Sequence, residues 1–338
     1  MAAGLSGGTP ARVTAVHKER YELVCDQGEG YGRLKAGVYF NGGGEAFPTT
    51  GDFVEIQYNP QGDSPILRTL PRRTFFSRRD PTPGRGEQAV AANFDTVFIL
   101  QSLNHDFNER RLERYMTLAW QSGAVPAVVL TKADLTQEAA AARRRAERLA
   151  AGVGAFAVSA KTGEGLAALD GYLRPGKTVV FLGSSGVGKS SLLNALAGEE
   201  LMETGGIRED DSRGRHTTTH RQLFRLDSGA MVIDTPGMRE LGMWDVSEGL
   251  SEAFTDVQAL LGRCRFSDCR HHQEPGCAVR EALETGALAP ERWESYQKLK
   301  QEARYADDKA GYLRQKQQWH KGISKTIRQM GKEGRVKG

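Results

Sequence analysis

Gly183-Ser184-Ser185-Gly186-Val187-Gly188-Lys189-Ser190 is the stretch on which the fold turns. Its Gly-x-x-x-x-Gly-Lys-Ser spacing lets backbone N–H groups face inward around phosphate oxygens, with Lys189 reaching the outer phosphates and the Ser190 hydroxyl suited to Mg²⁺. An ordinary glycine turn would need no particular flanks. Here the apolar run Thr178 to Leu182 precedes the loop and a helical run, Ser190 to Ala197, follows it. That is the strand, loop and helix context of a phosphate-binding loop, with the positive end of the helix dipole at the phosphates. Ser184, Ser185, Gly186, Val187, Gly188, Ser190 and Ser191 are therefore candidate nucleotide contacts, and Lys189 a candidate catalytic residue as well.

Downstream, the apolar run Met231-Val232-Ile233 ends in Asp234-Thr235-Pro236-Gly237. An aspartate in this place can hold Mg²⁺ through water, and the Gly237 N–H can sense a γ-phosphate. Upstream, Val128-Val129-Leu130 leads into Thr131-Lys132-Ala133-Asp134, a variant of the Asn-Lys-x-Asp element of G proteins, and Val158 leads into Ser159-Ala160-Lys161. A carboxylate at Asp134 accepts from both the N1–H and the exocyclic amine of guanine, a pair that adenine lacks. Lys132 would pack its stem on the ring, and Ser159 and Ala160 would support the base from the other side. The nucleotide expected is GTP, with GDP as product. The base-reading elements come before the phosphate loop in this chain, the reverse of the ordinary G-protein order, so the domain is expected to be circularly permuted. Permutation is tolerated because domain termini lie close together at the surface.

Switch chemistry is expected between Glu203 and Arg221, where Gly214-Arg215-His216-Thr217-Thr218-Thr219 supplies hydroxyls and an imidazole. A threonine that contacts Mg²⁺ and the γ-phosphate orders such a loop in the triphosphate state; Thr218 is preferred over Thr217 for it. Many G proteins place a glutamine after the Asp-x-x-Gly element to orient the attacking water. This chain has Met238, whose thioether cannot do so, and His216 is the candidate for water positioning, the other reading being a solvated loop histidine.

Outward from the nucleotide elements the texture changes on both sides. Residues up to about Thr69 form short β-type runs broken by Gly-rich turns, the pattern of a small all-β barrel. Arg72 to Gln88, with Arg72, Arg73, Arg78, Arg79 and two prolines at Pro81 and Pro83, reads as an exposed linker. From Asn93 strands alternate with amphipathic helices, the mark of an α/β sheet. After Trp244 the chain turns helical. The expected architecture is multidomain: an N-terminal barrel over 1–75, a central α/β P-loop domain over 76–245, and a C-terminal helical domain over 246–338. Within the last, Cys264-x₄-Cys269-x-His271-x₅-Cys277 offers three thiolates and an imidazole, the ligand set of a closed structural Zn²⁺ site, with His272 as a competing fourth ligand.

No apolar run approaches the ~18 residues a membrane span needs, and the first ten residues lack the features of a signal peptide. The net charge of +4 is mild, but Lys309 to Gly338 carries nine Lys or Arg against one acid, Glu333, so a polyanion is its natural partner.

Together these features resemble the RsgA (YjeQ, EngC) family of ribosome small-subunit-dependent GTPases. Gly51-Asp52-Phe53-Val54, Ala92-Asn93-Phe94-Asp95, Gly214 to Thr219 and Glu274-Pro275-Gly276-Cys277-Ala278-Val279 all look like that family, so the resemblance spans nearly the whole chain. It implies an OB-fold barrel touching 16S rRNA and a GTPase stimulated by the 30S subunit during its late maturation. The expectation is then a cytoplasmic monomer carrying one structural Zn²⁺ and using Mg²⁺ with GTP. Thr131 and the long basic tail depart from the family pattern. An RNA-binding assembly protein with incidental hydrolysis is the alternative. A large-subunit permuted GTPase is disfavoured by the barrel and the Cys/His cluster.

Overall fold

A computed structural model describes residues 7–18, 20–39, 46–79, 87–104, 107–203, 221–234 and 246–304. The chain forms two compact units, Met1–Leu241 and Gly242–Gly338.

The first unit begins with β1 (Thr9–Val16), β2 (Tyr21–Cys25), β3 (Gly28–Leu34), a short helix α1 (Ala36–Tyr39), β4 (Phe53–Ile56) and β5 (Ser64–Thr69). Pairing runs β1–β2–β3–β5–β4 and returns to β1, so the five strands close on themselves and leave no free edge. The interior is filled by alternate residues, among them Val13, Leu23, Val54, Ile56 and Ile66, the period-2 pattern of strands with one face inward. This is the barrel that the short β-type runs predicted.

The segment 72–88 differs from the exposed linker expected of it. Residues Phe75–Arg79 form β6 and Glu87–Ala92 form β7, paired antiparallel. Phe76 is buried and stacks on Phe94, with ring centroids 4.9 Å apart. Arg72 donates to the buried carboxylate of Asp52 at 2.7 and 2.9 Å. The arginines and prolines that suggested a linker conceal aromatic anchors whose partners lie elsewhere in the chain.

The α/β part follows with β8 (Thr96–Ser102), α2 (Glu109–Gln121), β9 (Val125–Thr131), α3 (Ala139–Leu149), β10 (Ala155–Ala157), β11 (Thr178–Gly183), α4 (Lys189–Ala197), β12 (Gln222–Arg225) and β13 (Met231–Asp234). The order is β10-β9-β8-β11-β13-β12, parallel except for β12. Every residue of β8 and β11 is buried, as expected for parallel strands covered on both faces. Phe98, Val129 and Phe181 pack with Val187 and Leu192 from the loop and helix after β11. The helix α2 starts at Asn108, whose side chain accepts from Arg111 N, satisfying one of the N–H groups left open at a helix start.

Barrel and α/β sheet are continuous: β1 pairs with β12 at Ala15 and Gln222, giving an 11-stranded sheet. The junction is polar and buried. Arg12 donates to the carbonyls of Gly51 (3.3 Å) and Asn93 (2.9 Å), and burial pulls its guanidinium down to a pKa of about 10. Thr50 Oγ1 donates to Arg221 O at 3.1 Å. Gly51, at φ +92, passes so close to the chain that a Cβ there would stand 2.1 Å from Ala92 O.

The second unit contains α5 (Ser247–Ala253), α6 (Thr255–Leu261) and α7 (Ala278–Glu284), and is helical again from 290 to 304. By its sequence pattern, Glu248 to Leu261 reads as one helical stretch; the structure forms two helices, broken at Phe254, whose fully buried ring lies against Tyr296 and under the Arg292 guanidinium. Among the described residues no helix is long and apolar enough to cross a membrane. The basic tail lies outside them.

Candidate functional site: a nucleotide cradle and a metal cluster

The parallel strands end together at one edge of the sheet. Ser102 sits opposite Thr131, Ala157 opposite Leu130, and Gly183 opposite Leu100. Ligands of open α/β sheets bind at this carboxyl edge. It is here that the chain places Thr131, Ser159, Gly183 and Asp234.

The phosphate loop leaves β11 at Gly183, where a side chain would meet Leu100 O at 2.9 Å, and reaches α4 through Gly186 (φ +75) and Gly188 (φ +96). Those two positive φ values are left-handed conformations that glycine adopts without steric cost. They turn Ser184 to Gly188 into a concave backbone ending at the N-terminus of α4, a geometry that attracts anions. Lys189 Nζ lies across the loop, donating to Gly183 O (3.0 Å) and Ser184 O (2.8 Å). Ser190 and Ser191 occupy the first turn of α4. Asp234 is buried at the end of β13, the neighbour of β11.

The two base-side loops are joined to this cradle and to each other. Thr131 is buried, and its Oγ1 donates to Val187 O at 2.6 Å. Lys132, at φ 59, donates from Nζ to Gly186 O at 2.8 Å. The segment 131–134 therefore grips the phosphate loop at two carbonyls. Ala133 N donates to Val158 O (3.1 Å), and the fully buried Ser159 donates from Oγ to Asp134 Oδ1 at 2.6 Å. That bond fixes one oxygen of an otherwise exposed carboxylate, orienting Asp134 toward solvent at the sheet edge. Ala160 continues this loop. The strut from Thr131 to Val187 was not legible in the sequence, because the two residues are 56 positions apart and nothing local to either signals the other. His216, Thr218 and Gly237 lie outside the described residues.

In the second unit, Cys264, Cys269, His271 and Cys277 come together with their ligand atoms all within 4.8 Å of one another. His271 Nδ1 lies 3.5 Å from Cys264 Sγ, 3.6 Å from Cys269 Sγ and 3.5 Å from Cys277 Sγ. Near-equal spacing of three sulfurs and a ring nitrogen is a cage that could hold a metal ion. His272, exposed, is not part of this group. The His271 ring meets Trp293 edge-on, with centroids 5.6 Å apart.

A phosphate loop at the carboxyl edge of a parallel sheet, gripped by an acid-bearing base loop that precedes it in the chain, defines a circularly permuted P-loop GTPase. Comparison with known proteins narrows the class. The chain belongs to the RsgA GTPase family, whose pattern matches residues 69–244. The Small ribosomal subunit biogenesis GTPase RsgA 2 of Listeria monocytogenes serotype 4b (strain F2365) is 47% identical over 319 residues, covering 94% of this chain and 90% of that one. The crystal structure of YjeQ from Thermotoga maritima is similar at a TM-score of 0.64 and 28% identity, over 86% of this chain and 96% of that one. YloQ, a circularly permuted GTPase, shares the fold at a TM-score of 0.59 and 23% identity, over 88% and 96% of the two chains. This chain is accordingly a GTP-hydrolysing enzyme.

Proposed function

We propose that this enzyme acts in late maturation of the small ribosomal subunit, hydrolysing GTP to GDP and phosphate at a rate raised by the 30S particle. The observation that carries the reading is the direct bond from Thr131 to the phosphate loop at Val187 O, which supports one nucleotide site made of two elements in permuted order. Relatives covering nearly the whole chain bear a small-subunit biogenesis name. The domains we assign are an OB-fold barrel over 1–75, the permuted GTPase domain over 76–245, and a metal-binding helical domain over 246–338.

In this reading Asp134 selects guanine, held in place by Ser159, with Lys132, Ala133 and Ala160 lining the base. Residues 183–191 hold the phosphates, and Lys189 neutralises charge that develops during transfer. Ser190 and Asp234 are hard oxygen donors of the kind Mg²⁺ takes, and Thr218 would join them. Mg²⁺ supplies charge neutralisation at the β and γ phosphates when bound. Gly237 senses the γ-phosphate and His216 positions the attacking water.

The cage in the second unit fits zinc. With Zn–S near 2.3 Å and Zn–N near 2.0 Å, a tetrahedron has N···S edges of about 3.5 Å and an S···S edge of about 3.8 Å. The three N···S separations are 3.5 to 3.6 Å and Cys264 Sγ lies 4.0 Å from Cys277 Sγ. Four protein ligands leave no open position, so the ion is structural. The barrel and the basic tail contact 16S rRNA, and the protein works in the cytoplasm as a monomer.

GTP turnover measured with purified 30S and 50S subunits side by side tests the reading. Stimulation by 30S alone is expected. Equal rates with 30S, with 50S and without either would reduce it to a nucleotide-gated RNA-binding protein.

A further inference from the structure

The metal cage depends on a loop whose backbone is held in a costly shape. His271 has φ 63, a left-handed conformation that is sterically unfavourable for a non-glycine residue. The chain then turns again through Gly276 at φ +73, where the Arg265 N–H donates to the Gly276 carbonyl at 3.0 Å. Around His271 the backbone N–H groups of Arg270, His272 and Gln273 converge on one spot. Such convergent dipoles form a nest that favours an anion.

The chain supplies its own anion. Glu274 Oε1 accepts from Arg270 N at 2.9 Å, and Oε2 accepts from His272 N at 2.9 Å and Gln273 N at 3.0 Å. One carboxylate therefore closes a ring over residues on both sides of His271. These N–H groups, that of Arg270 foremost, hold its carboxyl well below the usual range, at about 2. Glu274 is not among the grouped metal ligands. In the sequence it only opens the family-like stretch Glu274 to Val279; the contact with three N–H groups exists only once the loop has turned.

We propose that Glu274 is a positioning residue for the metal site: by tying down the N–H groups of Arg270, His272 and Gln273 it holds His271 in its left-handed conformation, and so keeps Nδ1 aimed at the three sulfurs. The inference rests on reading Cys264, Cys269, His271 and Cys277 as the Zn²⁺ site. Its chemistry is a reduced cost of organisation. A loop already closed around an internal carboxylate loses less conformational entropy when the ion arrives, and affinity rises accordingly. Three thiolates and one dipositive ion leave the site with excess negative charge, so a carboxylate nearby would weaken binding were its own charge not absorbed by the N–H dipoles.

The test is Zn²⁺ affinity of the full chain by competition with a chromophoric chelator, for wild type, Glu274→Ala, Glu274→Gln and the control Glu284→Ala. Glu284 is an exposed partner of Arg280 one turn away on α7. Partners that orient ligands typically contribute 10- to 100-fold to metal affinity; about that loss is expected for Glu274→Ala. A smaller loss, roughly threefold or more, is expected for Glu274→Gln, which keeps one acceptor oxygen but turns an amide N–H toward one donor. Glu284→Ala should match wild type. The Co²⁺-substituted proteins should share one thiolate–imidazole spectrum at saturation, since the ligands are unchanged. Should Glu274→Ala fail to fold, the Gln variant decides, and affinity equal to wild type overturns the proposal. So does Glu274→Ala within twofold of wild type, or a Co²⁺ spectrum altered by substitution, which would make Glu274 a ligand. A wild-type chain that binds no Zn²⁺ would sink the metal reading and this inference together.

Discussion

Replacing Thr131 by valine removes one hydroxyl and little else, and it tests how the base loop and the phosphate loop act as one site. Valine has nearly the volume of threonine, so the buried position stays filled. What disappears is the 2.6 Å bond to Val187 O, in a place where Thr131 is 4% and Val187 1% exposed. A buried acceptor that loses its donor costs about 1–3 kcal/mol. Since 1.4 kcal/mol corresponds to a factor of ten, the GDP dissociation constant should rise by roughly 5- to 150-fold if the whole cost falls on the cradle's binding conformation. The asparagine of the common motif could serve the same end, which explains why threonine at this position need not weaken the site. Titration with a fluorescent GDP analogue measures the change, and a thermal melt of the nucleotide-free protein records any part of the cost that appears as stability instead. Thr131→Ser, which keeps the donor, should bind within a few-fold of wild type. If Thr131→Val binds GDP within twofold of wild type and melts at the same temperature, the strut contributes nothing and the two loops are not coupled through it.

Three further outcomes are expected. Asp134→Asn should exchange guanine for xanthine preference, because the amide presents a donor where the carboxylate presented an acceptor, while its oxygen still accepts from Ser159; competition between GTP and XTP reads it, and retained guanine preference refutes the assignment. Gly51→Ala forces a Cβ to 2.1 Å from a backbone oxygen at φ +92, so the variant should lose several kcal/mol, on the order of 3 or more, and accumulate as insoluble protein; a melting temperature within 2 °C of wild type would contradict the close approach. Arg12→Ala takes a donor from the carbonyl of Asn93 and from that of Gly51, which keeps only the Asn93 amide, and leaves the buried Asp52 with less compensating charge. A loss of about 3 kcal/mol should lower the melting temperature by roughly 6 to 12 °C in a unit of this size, and an unchanged transition measured by calorimetry would argue that the seam between barrel and sheet is not structural.

The phosphate loop, the two base-side loops and the aspartate at the end of β13 were each legible in the sequence because their chemistry is carried by consecutive residues. Glycines at fixed offsets must turn, and apolar runs of five or six residues must be strands. The Cys/His cluster was readable for the same reason, though the choice between His271 and His272 turned on a backbone angle that only the folded loop has. The segment 72–88 was misread: its prolines and arginines were local signals, while the partners of Phe76 and Arg72, Phe94 and Asp52, were not. Glu248 to Leu261 reads as one helix because its periodicity continues across Phe254, although the chain bends there to bury the ring.

By itself, then, the sequence determined which short segments carry the residue types suited to phosphate, guanine and metal, and that their order is permuted, since those properties belong to residue types at fixed spacing. Tertiary structure alone decided how they cooperate. The bond from Thr131 to Val187, the Arg12 seam that makes barrel and α/β strands one sheet, and the carboxylate of Glu274 over its three N–H groups all join atoms whose proximity exists only after the chain has closed on itself. Their energies depend on distance and burial, and neither quantity is written in any local stretch of the chain.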